Sequence, residues 1–98
     1  MMITNLLMSY NDAEKKLAAI GKELEKDINN SETWAAKADI LYSIGLYESA
    51  ILCCDRSLTI NPDNALTWAT KGKALDKLGR HDETEAAFAI AKELGYYD

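Results

Sequence analysis

The chain has 98 residues, which suits one domain near the lower size limit at which a hydrophobic core alone stabilises a fold. Its net charge of -5 and its pI of about 4.8 disfavour binding to nucleic acid or to an anionic membrane surface, because both require clustered Lys and Arg. One Pro, five Gly and abundant Ala, Leu, Lys and Glu predict helices and no sheet.

A pattern of identical residues recurs along the chain with a displacement of 34 positions. The segment from Thr33 to Gly45 matches the segment from Thr67 to Gly79 at Thr, Trp, Ala, Lys, Leu and Gly. A period of this length is typical of stacked helix-turn-helix units, each of which buries its apolar face on the next. The period divides the chain into full units at 31–64 and 65–98 and a truncated, degenerate unit at 1–30.

The first unit is interpreted as a hairpin that lacks its first four residues. Asn11 lies one period before Gly45, and Asn is the second-best residue for ending a helix in the left-handed conformation. Lys16 and Glu23 stand where the other units have small residues, and burying these charges would be costly. We therefore expect a short, frayed helix over residues 3–10, with both charges partly exposed.

The second unit begins with a helix whose apolar residues recur every three or four positions. Ser31 is placed to cap this helix, and Gly45 is placed to end it. A second helix is expected from Tyr47 to the residue before Asn61, antiparallel to the first because the turn is short. The residues expected inside the hairpin are Trp34, Ala38, Leu41, Ile44, Ala50, Ile51, Cys54, Ser57 and Leu58.

The third unit repeats this arrangement, with Asn64 as the expected cap, Gly79 as the stop and a second helix from about His81 to Leu94. Lys37 and Lys71 fall near the buried face, so their stems should pack while their ammonium groups reach water. Small residues in each hairpin should let the paired helices approach closely. The inward residues expected here are Trp68, Gly72, Leu75, Leu78, Thr84 and Ala91.

These units closely resemble the tetratricopeptide repeat, in which Trp is followed by a small residue, a large apolar residue, Gly, Ala and finally Pro. The departures are Cys54 in place of an aromatic residue, Thr84 in place of Ala and Tyr96 in place of Pro. The resemblance implies an all-α fold, a right-handed α-solenoid of antiparallel helix hairpins, forming a single domain over residues 1–98. The matching residues are Trp34, Ala38, Leu41, Gly45, Tyr47, Ala50, Ser57 and Pro62, then Trp68, Gly72, Leu75, Gly79, Phe88 and Ala91.

Members of this family generally bind extended peptides or partner helices in a concave groove lined by the first helix of each unit. Glu32 and Asp39 would make this groove acidic in its middle, and Tyr42 and Leu66 are candidate anchors for a partner with basic and apolar side chains. The groove positions implied by the resemblance are Asn5, Met8, Ser9, Glu32, Ala35, Ala36, Asp39, Tyr42, Ser43, Leu66, Ala69, Thr70, Lys73, Asp76 and Lys77.

The chaperone-binding members of the family clamp a C-terminal dicarboxylate with Lys, Asn and Arg side chains on these helices. Only one of the matching residues in this chain fits that role, so we do not expect a chaperone tail as the ligand. The residues at the matching positions are Met1, Asn5, Ala36, Leu66 and Thr70, of which Asn5 is the one that fits.

A second candidate surface is the apolar amino-terminal segment. A truncated helix hides only one side of this segment, so Met2 and Leu6, one turn apart, are candidates for self-association as a weak homo-oligomer. A disordered terminus on a monomer is the alternative.

On the second helix of each unit, two residues are expected to face the following unit. This pair is apolar in the first two units and charged in the last. The pairs are Leu17 with Leu24, Ile51 with Leu58, and Glu85 with Lys92. Because a terminal repeat needs a polar outer face, we expect the stack to end with the third unit.

Catalysis, a metal site and a cofactor are not expected. The single histidine, His81, has no second histidine or suitably spaced cysteine for a zinc site, and the chain lacks a phosphate-binding loop and a nucleophile motif. Cys53 and Cys54 are adjacent on a helix and are interpreted as small buried thiols, with redox work as the alternative. The absence of a signal sequence or membrane-span pattern predicts a cytoplasmic protein.

Two functional hypotheses follow. The first is a protein-protein interaction module, an adaptor or scaffold that uses the groove. The second is a structural module that associates with itself through Met2 and Leu6.

Overall fold

The computed structural model describes residues 2–97 and, for side chains, residues 10–97. Over this range the chain forms helices and no strand. Two hairpins, α2 with α3 and α4 with α5, stack through the contact between α3 and α4, while α1 packs on α2. The predicted all-α repeat solenoid is confirmed. The helices are α1 (Met2–Lys26), α2 (Ser31–Ser43), α3 (Tyr47–Ile60), α4 (Ala65–Lys77) and α5 (His81–Glu93).

The predicted turn at Asn11 is wrong, because α1 runs without a break from Met2 to Lys26. An interior Asn costs no more than about 0.7 kcal/mol relative to Ala, whereas a stop there would interrupt the ladder of backbone hydrogen bonds between two good helical segments. The first unit is therefore a single helix, and Leu17 packs it against the core of the first hairpin. Lys16 and Glu23 are exposed, as predicted.

Asparagine side chains begin both first helices. Asn30 Oδ1 accepts hydrogen bonds from the backbone amides two and three residues ahead, at 3.1 and 3.2 Å, so the predicted cap at Ser31 is displaced by one residue. Ser31 is already helical, and its carbonyl accepts a hydrogen bond from Ser57 Oγ at 2.8 Å. Asn64 caps α4, as predicted.

Glycines end the same two helices in the left-handed conformation, with φ of +84° at Gly45 and +75° at Gly79. The residue after each glycine then donates its amide proton to the carbonyl of the repeated leucine, at 2.9 Å to Leu41 and 3.0 Å to Leu75. These bonds satisfy carbonyls that a helix end leaves unpaired. The predicted stops are confirmed.

The core consists of two clusters that follow one another along the stack. The first is centred on Ala38, Leu41 and Cys54, and the second on Ala74 and Leu75. The small side chains expected between paired helices are buried at these contacts. Within the described part of the chain, no helix has the length and apolar character needed to cross a membrane.

Candidate functional site

A cavity of about 240 Å³ opens between α2 and α4, the first helices of the two hairpins. We call it the α2–α4 groove. Its walls come from residues that recur every three or four positions on each helix, because such residues share one helical face. The lining residues are Glu32, Ala35, Ala36, Asp39, Asn64, Leu66, Thr67 and Thr70.

A hydrogen bond connects the two walls of the groove. Thr70 Oγ1 lies 3.0 Å from Asp39 Oδ1 and 3.1 Å from the carbonyl oxygen of Leu66. The hydroxyl has one proton, so it donates to these two acceptors in alternation or shares the proton between them. The contact holds the Asp39 carboxylate at the mouth of the groove.

The mouth of the groove combines acidic and apolar character. The side chains of Glu32 and Asp39 are exposed, and neither forms an ion pair with any residue in the range 10–97. Leu66 is 68% exposed beside them. A partner that offers a cation and an apolar side chain at neighbouring positions would satisfy both features.

Six of the predicted groove positions line this one cavity, namely Glu32, Ala35, Ala36, Asp39, Leu66 and Thr70. Ala69, in contrast, is buried at 1% exposure. The side chains of Asn5, Met8 and Ser9, and those of the self-association candidates Met2 and Leu6, lie outside the described residues.

Tyr42 has a structural partner that the sequence did not indicate. Its ring centroid lies 5.4 Å from that of Tyr47, with the planes tilted by 59°, and the side chain packs against both core clusters. A half-buried ring in this position joins the two clusters. Tyr42 is therefore a packing residue at the edge of the groove and not a free anchor.

The predicted residues Lys73, Asp76 and Lys77 are exposed on α4 beyond the cavity. They extend the face of Leu66 and Thr70 along the helix. Asp76 Oδ1 lies 3.5 Å from His81 Nδ1, and both side chains are mostly exposed. This end of the face has mixed charge, unlike the acidic mouth.

Two lining residues, Asn64 and Thr67, were not predicted as part of the groove. Asn64 Oδ1 accepts the amide proton of Thr67 at 3.2 Å, which holds the start of α4 against the cavity. The signal for this was present in the capping prediction, because a residue that starts a groove helix also stands at the end of the groove.

Burial makes the two cysteines poor nucleophiles. Both are free thiols, and desolvation raises the pKa of Cys53. Desolvation together with the nearby carboxylates of Asp39 and Asp55 raises the pKa of Cys54 to about 12. Thiols with such pKa values stay protonated at neutral pH. Among residues 2–97, no cluster of three or more His, Cys, Asp or Glu could hold a metal ion.

Stacked helix hairpins with a groove along their first helices define a helical-repeat protein of the interaction-module class. Two sequence models described as tetratricopeptide repeat match residues 31–64 and 53–86, which together span more than half of the chain. The chain belongs to the tetratricopeptide repeat family.

Solved structures agree with this assignment. The second tetratricopeptide domain of Spaghetti (RPAP3), bound to the HSP90 peptide SRMEEVD, superposes with a TM-score of 0.82 at 21% identity, over 92% of this chain and 83% of that chain. A crystal structure of MamA has a TM-score of 0.75 at 22% identity, over 82% of this chain and 48% of that chain. Another MamA structure, MSR-1 C2, has a TM-score of 0.79 at 18% identity, over 94% and 52%. This chain therefore spans about half the length of these two MamA chains, and at these identities the similarity concerns the fold.

Proposed function

We propose that this protein is an interaction module that binds a segment of a partner protein with basic and apolar side chains in the α2–α4 groove. The observation that carries the proposal is the exposed acidic and apolar mouth formed by Glu32, Asp39 and Leu66. A partner Lys or Arg would form charge-assisted hydrogen bonds with the two carboxylates. A neighbouring apolar side chain would cover Leu66.

The groove is long enough for a short peptide. Each of its two helices has 13 residues, and a helix of that length extends about 20 Å. An extended peptide advances about 3.3 Å per residue, so about six residues of a partner span the groove. This length allows two or three side chains to point into the cavity on alternate positions.

The structure of the Spaghetti domain bound to a peptide supports the view that this fold accommodates a protein segment. Three of the last four residues of its peptide, SRMEEVD, are acidic. In this chain the groove has Ala36, Leu66 and Thr70 where the resemblance places dicarboxylate-binding side chains, and Glu32 and Asp39 would repel an acidic tail. The proposal therefore concerns a basic ligand and not a chaperone tail. Catalysis forms no part of it.

Two labelled peptides test the charge preference. The basic probe is Ser-Lys-Leu-Ser-Lys-Leu-Ser-Lys-Ser with an amino-terminal fluorescein, and the acidic probe has Glu in place of each Lys. Fluorescence anisotropy should show saturable binding of the basic probe, and the variant Glu32→Lys should weaken that binding at least tenfold. The hydrogen bond between the groove walls joins Thr70 to Asp39 and does not involve Glu32, so this variant removes neither of its partners.

The matched control is Glu85→Lys, which makes the same change of charge on the exposed face of α5. Its affinity for the basic probe should stay within twofold of wild type. An equal loss in both variants would show that only net charge matters, and the groove proposal would then be abandoned. Analytical ultracentrifugation across a range of concentrations, repeated after deletion of residues 1–10, tests the self-association hypothesis for Met2 and Leu6 separately.

A further inference from the structure

A second cavity lies between α2 and α3 and has a volume of about 620 Å³, compared with about 240 Å³ for the α2–α4 groove. From α2 it is lined by Trp34, Lys37 and Leu41. At about 100° per residue, these positions lie roughly half a turn around the helix from the groove residues Ala36 and Asp39. We call this cavity the outer pocket.

The corresponding cavity of the second hairpin is much smaller, at about 210 Å³. Its walls include Trp68, Lys71 and Leu75, each displaced by 34 positions from a residue of the outer pocket. The outer pocket also has two side chains that the second hairpin lacks, since Leu52 and Arg56 correspond to Ala86 and Ile90. The outer pocket is thus a particular feature of the first hairpin and not a general result of the repeat.

Two cations lie against the aromatic wall of the outer pocket. Lys37 Nζ is 5.5 Å and Arg56 Cζ is 5.6 Å from the centroid of the Trp34 ring. In the part of the chain whose side chains are described, neither cation forms an ion pair. Among the described lining residues, Asp55 alone has a carboxylate, and this group lies 2.7 Å from the ammonium nitrogen of Lys71 and is already paired.

In the second hairpin, the lysine that corresponds to Lys37 has a carboxylate partner. Lys71 is paired with Asp55 of the preceding helix, but the residue of α1 that corresponds to Asp55 is Gly21. Apart from Gly21, its two chain neighbours and the nearby backbone of α1, no atom lies within 4 Å of the position that a Cβ of Gly21 would occupy. Position 21 therefore supplies no carboxylate for Lys37.

The outer pocket is also apolar. Leu52 is 67% exposed at its edge, and Leu41 and Cys53 contribute buried walls beside the face of Trp34. Trp and Arg, which meet in this pocket, are enriched among the energetically important residues of protein interfaces. The pocket therefore has unpaired positive charge and apolar surface together.

We propose that the outer pocket binds an acidic segment of a partner protein that also presents an aliphatic or aromatic side chain. The apolar side chain packs between Trp34 and Leu52, and a neighbouring carboxylate accepts hydrogen bonds from Arg56 and Lys37. Arg56 suits this role because a guanidinium group over a ring keeps its edge available for a carboxylate. A polyanion such as nucleic acid is disfavoured because the positive charge is local, on a chain with a net charge of -5.

The two faces of α2 then select ligands of opposite charge. The α2–α4 groove takes basic segments at Glu32 and Asp39, and the outer pocket takes acidic segments at Lys37 and Arg56. Since the two sites share a helix but no lining residue, a module of this kind can join two different partners.

The acidic probe tests this proposal with two variants. Wild type should bind it saturably in fluorescence anisotropy, Arg56→Glu should weaken binding at least tenfold, and Leu52→Ser should weaken it about fivefold. Lys73→Glu is the matched control, since it also replaces an exposed cation by a carboxylate, but on α4. Lys92→Glu, far from both sites, measures the effect of net charge alone. The affinities of Lys73→Glu and Lys92→Glu for the acidic probe should differ by less than twofold. Circular dichroism and thermal unfolding check that all variants fold.

Nuclear magnetic resonance locates the bound probe. The indole N–H of Trp34 donates to the carbonyl of Ile28 and that of Trp68 donates to the carbonyl of Pro62, so each tryptophan provides a separate reporter in its own hairpin. The acidic probe should shift the Trp34 resonance and leave that of Trp68 unchanged.

Four results would overturn the proposal. Two concern affinity: the acidic probe does not bind saturably at millimolar protein, or Arg56→Glu and Lys73→Glu lose affinity for it equally. The third is that the probe shifts only the resonances of Trp68 or Thr70. The fourth is that wild type forms a dimer, which Arg56→Glu dissociates. The last result would assign the outer pocket to a second copy of the chain. Failure of the basic probe to bind would leave this proposal unaffected, because the basic probe reports on the groove alone.

Discussion

Lys71 Nζ lies 2.7 Å from Asp55 Oδ1 and 5.4 Å from the centroid of the Trp68 ring, and so connects α3 of the first hairpin to α4 of the second. The Lys71 side chain is 23% exposed and that of Asp55 is 48% exposed. One period earlier, Lys37 keeps the contact with its tryptophan, but the residue of α1 that corresponds to Asp55 is Gly21. Among residues 10–97, the repeat therefore contains one ion pair between units where its symmetry would allow two.

The Asp55–Lys71 pair should stabilise the stack modestly. We expect Asp55→Asn to lower the free energy of unfolding by about 0.5–1 kcal/mol, because the pair is only partly shielded from water. Urea unfolding of Asp55→Asn, Lys71→Met and the double variant measures the coupling energy between the two residues. A coupling energy near zero would show that the ion pair does not stabilise this junction.

Supplying the missing carboxylate should create the second link. Gly21→Asp should stabilise the protein relative to Gly21→Asn by about 0.5 kcal/mol through an ion pair with Lys37. The difference should disappear in a Lys37→Met background. A stability difference that persists in the Lys37→Met background would show that the carboxylate at position 21 does not pair with Lys37.

Two helical glycines should respond to alanine in opposite ways. A Cβ at Gly21 meets no atom within 4 Å, so Gly21→Ala should stabilise the protein by about 0.5–1 kcal/mol through helix propensity alone. A Cβ at Gly72 meets the ring of Phe88 at 3.0 Å, and that ring packs in turn near Tyr96. Gly72→Ala should therefore be less stable than Gly21→Ala by about 1 kcal/mol or more in urea unfolding. Equal stabilities would mean that Phe88 moves aside at no cost.

Ser57 should contribute through its hydrogen bond as well as its size. Its hydroxyl is fully buried and donates to the carbonyl of Ser31 at 2.8 Å, which joins the two helices of the first hairpin. We expect Ser57→Ala to cost about 1 kcal/mol, and Ser57→Val to cost more because the added bulk separates the helices. Thermal unfolding measures these changes. In that assay Ser49→Ala, on the exposed side of the same helix, should change stability by less than about 0.5 kcal/mol. A larger loss for Ser49→Ala would indicate a general effect of serine on α3.

Stability should fall in alkaline solution because of Cys54. Its pKa is raised from the ordinary 9.0 to about 12 in the folded protein, chiefly by burial. The unfolded chain therefore loses the thiol proton from about pH 9 upward while the folded chain keeps it. The contribution of this group to the free energy of unfolding is fully present below pH 9. Above pH 9 it declines by roughly 1 kcal/mol per pH unit until the pH reaches the pKa of the folded protein.

Urea unfolding from pH 8 to pH 11 gives the free energy of unfolding of wild type and of Cys54→Ala as a function of pH. The contribution of Cys54 is the difference between the two slopes of free energy against pH. Taking this difference removes the titration of Tyr and Lys, which both proteins share. The wild-type slope should be the steeper of the two, and parallel slopes would contradict the raised pKa.

Much of the fold was predictable because short-range patterns control it. The stops at Gly45 and Gly79 depend on the backbone freedom of one residue, and the cap at Asn64 depends on a side chain within three positions of its partner. The failed prediction at Asn11 also has a local cause. Asn favours a helix end only slightly over the helix interior, so the flanking residues decided the outcome.

Part of the candidate site was predictable for the same reason. Helical spacing and the 34-residue period bring Glu32, Asp39 and Leu66 to one cavity, because residues three and four apart share a face. The role of Tyr42 was not predictable from spacing, since its partner Tyr47 lies beyond a turn and the two rings meet only after the hairpin closes.

The period, the helix ends and the small buried residues follow from interactions within a few residues, and they were sufficient to define a stack of helix hairpins. The outer pocket depends instead on the tertiary structure. Its charge follows from Arg56 and Lys37 meeting over Trp34 and from the lack of a side chain at Gly21 in another helix. Packing between separate helices sets which charges are paired and which remain open to a partner, and no local pattern contains that information.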